Sequence, residues 1–274
     1  AGYDKNCRAI PGLEALGFGY VTVGTVTKDP RDGNPKPRIK RLVDKKALVN
    51  SLGFPGHGLR SAIDRLEDLE PSRSSSKRVV SISGTEIDDI KDCHRFIEPL
   101  VSAIEINISS PNTAGLKIFQ EPANLNNLLE TIQEKCEKPL FVKLPPFNSG
   151  EKDKSQEQVF NLIRECINSN VNAVTVSNTR PVKDTSLAVG QGGLSGAPLL
   201  ENTISMVKTV SGEFGTALDI NACGGISTGH EAYQALRAGA SSVQLYTSLV
   251  YEGPSLIKTM KKDLVAYLEG KEGL

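Results

Sequence analysis

Seven short apolar runs, most of them followed by a stretch of helical periodicity, constrain this chain more than any other feature of its sequence. The runs cover residues 19–26, 78–83, 103–109, 140–144, 173–178, 217–221 and 241–247. Between them Ile87, Ile90, Cys93, Ile97 and Leu100 recur at near-helical spacing. Leu125, Leu128, Leu129 and Ile132 do the same, then Val159, Leu162, Ile163 and Cys166, then Ala232, Ala235 and Leu236. Buried strands alternating with amphipathic helices give parallel strands joined by crossover helices. The closed form of that architecture, the (β/α)8 TIM barrel, needs eight strands. Ala1-Gly2 reads as the tail of an eighth. The expected fold is therefore a single α/β barrel domain over residues 1–274 without its first strand. A gap is expected between the 19–26 and 241–247 strands, with residues 1–5 near their C-terminal ends.

The longest connection, residues 27–77, holds a turn cluster at Asp32-Gly-Asn-Pro-Lys-Pro37, an alternating basic piece at 38–42 and a helical pattern at 57–69. An excursion of that length from one barrel strand is expected to build a lid over the site.

Composition excludes several classes. Lys plus Arg and Asp plus Glu balance at 32 each, which argues against a nucleic-acid or anionic-membrane surface as the main business. No 18-residue apolar run occurs, so no transmembrane span is expected. Ala1-Gly-Tyr-Asp-Lys5 does not read as a charged-then-apolar leader. Cys7, Cys93, Cys136, Cys166 and Cys223 form no Cys-x-x-Cys pair. Free thiols are expected, with no zinc or iron–sulfur ligation.

Barrel enzymes keep their chemistry at the C-terminal ends of the strands. In the 103–109 run, Ile104, Ile106 and Ile108 alternate with Glu105, Asn107 and Ser109, and Pro111 then ends the pairing for want of an N–H. This strand ends in a polar tip that includes Asn107, Ser109, Ser110, Asn112 and Thr113. Asn107 lies within the strand pattern, where its amide must find partners. Lys143 stands in an apolar run, either as a lysine snorkelling from a strand end or as a cation facing developing negative charge. Gly190-Gln-Gly-Gly-Leu-Ser-Gly196 reads as a loop ahead of a helix near Pro198, and Gly224-Gly225 precedes one near Thr228. Glycines let backbone N–H groups approach an anion, and helix N-termini favour one, so the two together suit a phosphate. The histidines show no base–nucleophile spacing: His94 reads as helix surface, His230 as helix N-terminal, and His57 has no role. Two lysines, several amides and hydroxyls suit a flat, partly anionic ring system rather than hydrolysis by a triad or paired carboxylates.

Asn107-Ile-Ser-Ser-Pro-Asn-Thr-Ala-Gly-Leu116 resembles the active-site segment of the dihydroorotate dehydrogenases, flavin enzymes of pyrimidine synthesis. Gly192-Gly-Leu-Ser-Gly196, Val243-Gln-Leu-Tyr-Thr247 and Ala1-Gly-Tyr-Asp-Lys5 are similar to further segments of that family, and the resemblance covers nearly the whole chain. It implies FMN as cofactor and dihydroorotate and orotate as substrate and product. It implies Ser110 as the base that takes the C5 proton while hydride leaves C6 for flavin N5. It implies substrate contacts from Lys5, Asn50, Ser51, Leu52, Gly53, Phe54, Asn107, Asn112, Asn178 and Thr179. Flavin contacts are implied for Ala1, Gly2, Thr25, Ser81, Asn107, Lys143, Ser177, Gly196, Gly225, Tyr246 and Thr247, with Lys143 at the N1–C2=O edge. No metal is implied. A serine base resembles the membrane-associated class that reduces quinone. That implies a quinone acceptor reached through an upstream segment, and a location in the cytoplasm or peripheral at a membrane. Two places depart from the pattern. Gly53-Phe-Pro-Gly56 stands where the quinone class usually has Gly-Phe-Asn, and the 79–83 segment lacks the asparagine that commonly meets flavin, leaving Ser81 nearest. Three alternatives stay open: a related FMN enzyme acting on another dihydropyrimidine, a non-redox barrel that binds a phosphorylated metabolite, and a barrel retained as an assembly partner.

Overall fold

The computed structural model describes residues 2–69, 75–110, 115–147 and 154–270. Its strands are β1 (Tyr20–Val26), β2 (Ile39–Leu42), β3 (Ala47–Asn50), β4 (Lys77–Ile82), β5 (Ala103–Asn107), β6 (Leu140–Lys143), β7 (Ala173–Val176), β8 (Arg180–Lys183), β9 (Gln191–Gly196), β10 (Asp219–Cys223) and β11 (Ser242–Gln244). Its helices are α1 (Ile10–Ala15), α2 (Gly58–Glu67), α3 (Ile87–Ile97), α4 (Pro122–Gln133), α5 (Lys154–Asn168), α6 (Leu200–Phe214), α7 (Gly229–Arg237), α8 (Thr247–Glu252) and α9 (Leu256–Leu268).

Seven strands form one parallel sheet in the order β1-β4-β5-β6-β7-β10-β11. All seven runs read from the sequence are in it. The sixth lies two residues later than read, and the seventh stops at Gln244 because α8 begins at Thr247. Side-chain bonds show that the sheet curls. Glu105 on β5 and Thr175 on β7 are separated by β6, about 10 Å across a flat sheet at two strand spacings. Thr175 Oγ1 nevertheless donates to Glu105 Oε2 at 2.8 Å. The outermost strands meet too: Tyr20 Oη on β1 lies 2.8 Å from Ser242 Oγ on β11, and Gln244 Nε2 donates to Tyr20 Oη at 3.2 Å. This is the (β/α) barrel architecture, closed at its seam by side chains. Among the described residues no backbone ladder joins β1 to β11. The Gly2 N–H donates to the Gly24 carbonyl and the Gly24 N–H to the Asp4 carbonyl, both at 2.8 Å, and the Tyr3 ring packs edge-on against Tyr246 at 5.6 Å. Residues 2–5 thus lie at the C-terminal ends of β1 and β11, as expected.

The period of two along each strand sorts the side chains into two layers. Val80, Ile82, Ile104, Ile106, Val142, Val174, Ile220 and Ala222 point outward into the apolar layer shared with Ile90, Leu125, Leu128, Leu162, Met206 and Val210 of the helices. Glu105, Asn107, Thr175, Asn221, Ser242 and Gln244 point inward and bond to one another or to neighbours, including Asn221 Oδ1 to the Ser242 hydroxyl at 2.6 Å. Local signals place the helices. Pro11 and Pro122 sit in the first turns of α1 and α4, and Thr228 opens α7 with a capping box to Glu231.

β2, β3, β9 and β8 form a separate four-stranded antiparallel sheet around Ala47, Val49, Leu187 and Leu194. This corrects the reading of residues 190–196 as a loop. The glycines there serve close packing: a Cβ on Gly192 would meet the Asn50 carbonyl at 2.7 Å, and one on Gly193 would overlap the Thr179 side chain. Residues 27–77 supply β2, β3 and α2. His94 is also corrected, from helix surface to a buried position facing Glu98.

At the N-terminal ends of the strands, Arg78 Nε donates to Glu14 Oε1 at 2.8 Å, tying α1 to β4, with side chains only 15% and 6% exposed. Breaking one half of a buried pair costs about 3–5 kcal/mol, because the other charge is left unpaired. Glu14→Ala is expected to lower stability in urea by about that amount, and Glu14→Leu/Arg78→Met by much less. Equal losses in both would show the pair to be unimportant.

Candidate active site

The C-terminal ends of six of the seven parallel strands, all but β4, border a cavity of about 160 Å³. Gly2, Lys5, Thr25, Asn107, Ser110, Lys143, Ser177, Asn178 and Thr179 line its strand-end wall. Asn50, Leu52, Gly53 and Phe54 close it from the long excursion, and Gly196, Gly225, Tyr246 and Thr247 line the far end. The structure thus brings together most of the residues singled out in the sequence. Ser51 and Ser81 are fully buried and lie behind the wall; Ser81 meets Thr25 there, hydroxyl to hydroxyl, at 3.2 Å. Ala1 and Asn112 lie outside the described residues.

One hydrogen-bonded chain fixes the centre of the site. Asn178 Nδ2 donates to Ser109 Oγ at 2.9 Å, and Ser109 Oγ donates to Asn107 Oδ1 at 2.9 Å. That oxygen also accepts the Ser109 N–H, while Asn107 Nδ2 donates to Thr25 Oγ1 at 3.2 Å. The strand-borne amide therefore has its partners, and its orientation is set by three strand ends. Ser110, 8% exposed, follows directly on this chain and faces the cavity.

Lys143 is buried at the end of β6, with Nζ 3.8 Å from Cys223 Sγ. Complete burial alone would lower its ammonium, but the Cys223 sulfur and the Glu105 carboxylate outweigh burial and hold it above its ordinary value. Glu105 answers in kind. Burial would raise its carboxyl, yet Lys143 and the Thr175 hydroxyl keep it below the usual range. The cavity wall thus carries a cation held charged by a carboxylate one layer beneath it. Lys5 behaves oppositely: burial, then Arg38 and Lys143, push its ammonium down to about 8.

Glycines press three segments together at the far end. A Cβ on Gly225 would collide with the backbone of Leu200 at the start of α6, and one on Gly196 with Lys46 and, at 2.9 Å, with Thr247. Thr247 Oγ1 donates to Ser195 Oγ at 2.8 Å. Ser248 borders the cavity here with its hydroxyl buried and unpartnered among the described residues. Sequence reading missed Ser195, Cys223, Gln244 and Ser248. Cys223 closes β10 immediately before Gly224, so the strand-end rule would have found it had the strand been placed two residues later.

The family profile described as dihydroorotate dehydrogenase matches residues 1–268. Two similar proteins are named dihydroorotate dehydrogenase (quinone). That of Novosphingobium aromaticivorans is 37% identical over 98% of this chain and 78% of its own, and that of Azotobacter vinelandii 36% identical over 97% and 80%. Among solved structures, DHODH from Eimeria tenella in complex with ferulenol superposes with a TM-score of 0.89 at 30% identity, covering 98% of this chain and 80% of that one. Its ligand-free form gives 0.86 at 31% identity, over 99% and 84%.

Proposed function

The chain belongs to the dihydroorotate dehydrogenase family, and from that premise we propose that the cavity holds FMN beside dihydroorotate, with Ser110 as the base. Oxidation of dihydroorotate to orotate is the activity its relatives share, and a flavin is the cofactor of the family. The observation that carries the reading is the division of the cavity: a buried, charge-stabilised lysine and an amide chain at one end, a glycine-built polar pocket at the other.

The residues fit FMN. The Ser248 hydroxyl, unpartnered among the described residues, and the backbone N–H groups beside Gly196, Gly225 and Thr247 form a donor set suited to a phosphate. Gly2, Thr25, Lys143 and Ser177 would hold the ring. When bound, FMN supplies the two-electron acceptor for the hydride that leaves C6 of dihydroorotate. Ser110 takes the C5 proton, and the surrounding buried side chains keep bulk water from that hydroxyl. Asn107 and Asn178, already oriented by Ser109, hold the amide edges of the substrate. Lys143 offsets negative charge that develops on the ring. Lys5 binds the substrate carboxylate, and the excursion segment that carries Asn50, Leu52, Gly53 and Phe54 forms the cover. Relatives named for quinone support a quinone as the final acceptor. Among the described residues no helix is long and apolar enough to cross a membrane.

The reading is tested by denaturing the purified protein and identifying the flavin released. One FMN per chain is expected, and FAD or no flavin would remove the assignment. Lys5 adds a pH dependence. Its charge is present below about 8 and lost as pH rises through that value. The KM for dihydroorotate is therefore expected to climb above pH 8, approaching about tenfold per unit. Lys5→Met should raise KM at pH 7 and abolish the step. A step that persists in the variant would assign it to another group.

A further inference from the structure

The far end of the barrel, where the strands begin, carries three ligand-type side chains, two of them one helical turn apart and the third from a remote segment. His94 lies on the last turn of α3, and Glu98 lies one turn later. Cys136 lies in the turn after α4 that leads into β6. One imidazole nitrogen, one carboxylate oxygen and the thiol sulfur all fall within 4.8 Å of one another. His94 is 3% exposed and Glu98 7%. The carboxylate is already fixed, since Glu98 Oε1 accepts the N–H groups of Glu137 at 2.8 Å and Lys138 at 2.9 Å. The Lys138 ammonium is taken up elsewhere, donating to the carbonyls of Glu98, Pro99 and Val101. One group in the cluster is unsatisfied. His94 Nε2 is buried with no hydrogen-bond partner among the described residues, and its 3.6 Å separation from Glu98 Oε1 is too long for a hydrogen bond.

We propose that His94, Glu98 and Cys136 bind one divalent cation of the zinc type, pinning the end of α3 to the start of β6. The donor set selects the ion: thiolate and imidazole favour zinc, whereas calcium and magnesium take oxygen. Charge agrees, because a neutral imidazole, one carboxylate and one thiolate sum to −2 and cancel a 2+ ion. Zinc bonds of about 2.0–2.3 Å place tetrahedral ligands roughly 3.5 Å apart. The present spacing therefore closes by small side-chain movements. Cys136 can make them, being half-buried, with its thiol donating to the Lys138 carbonyl at 3.2 Å and already interacting with the Glu98 carboxylate. Its open side leaves the fourth position to water. Cysteine spacing could not signal this site, because its single thiol comes from a segment remote from the His94–Glu98 pair.

The test uses the flavin-loaded protein, stripped with a chelator, gel-filtered and titrated with zinc alone. One zinc per chain is expected, with a rise in Tm on loading. Cobalt in place of zinc should show a thiolate-to-cobalt absorption band. Cys136→Ser should retain flavin, which reports folding, yet lose both the bound zinc and the cobalt band. His94→Gln should lose the zinc as well. The proposal is overturned if folded wild type holds no zinc at micromolar concentration. It is equally overturned if Cys136→Ser binds zinc with the wild-type stoichiometry, which would put the ion on other thiols.

Discussion

Ser110→Ala is expected to slow reduction of the bound flavin by dihydroorotate by about two to four orders of magnitude, while flavin content and orotate binding stay near the parental level. A serine hydroxyl is a weak base, so its usefulness depends on where it sits. Ser110 is buried at the cavity wall, one residue beyond the Asn178–Ser109–Asn107 chain that fixes the local backbone and amides. Alanine removes the acceptor without disturbing that chain, because Ser109 and not Ser110 makes those bonds. Anaerobic stopped-flow at several dihydroorotate concentrations separates the proton-transfer defect from weakened binding. Ser110→Cys should recover part of the rate as pH rises and the thiol ionises. Parental reduction in the alanine variant would place the base elsewhere.

Lys143→Met is expected to lose most of its flavin or, where flavin is retained, to reduce it about a hundred- to a thousandfold more slowly. That is the usual cost of deleting a buried donor aimed at developing charge. The same substitution leaves the fully buried Glu105 carboxylate without the cation that holds it ionised, so stability should fall as well. Lys143→Met/Glu105→Gln separates the two effects. The neutral pair should restore the urea midpoint but not flavin reduction. If the double variant also regains reduction, Lys143 acts only as the partner of Glu105.

The barrel was legible because its strands are β-branched and its helices keep clear apolar periodicity. The second sheet was only half legible. The 38–42 piece alternates visibly, whereas β9 reads Gln-Gly-Gly-Leu-Ser-Gly, and glycine in a strand carries no propensity signal. Its glycines are there to let Asn50 and Thr179 approach, a requirement that exists only once the sheet has folded against the strand ends. His94 failed for a related reason. Helical spacing gives the face a residue occupies but not that a turn from another crossover will cover it, as residues 136–138 do here. Ser51 and Ser81 lie beneath the cavity wall, a depth that strand period does not give. Of the site, the strand-end polar residues were visible in the sequence. Cys223 was not, because its strand lies two residues later than read, and Ser248 was not, because it follows the last strand within α8 and belongs to no pattern.

The sorting of side chains by strand face has a consequence for how such an enzyme can change. The greasy shell between sheet and helices holds the molecule together, while the polar lumen carries charge and hydrogen bonding toward the cavity. Successive residues of one strand therefore answer to different demands: Ile104 and Ile106 to folding, Glu105 and Asn107 to chemistry. Variation confined to one set leaves the other nearly untouched. A sequence can thus drift in its outer shell while its reaction is conserved, or be retuned from within for a new ring system without first rebuilding its scaffold.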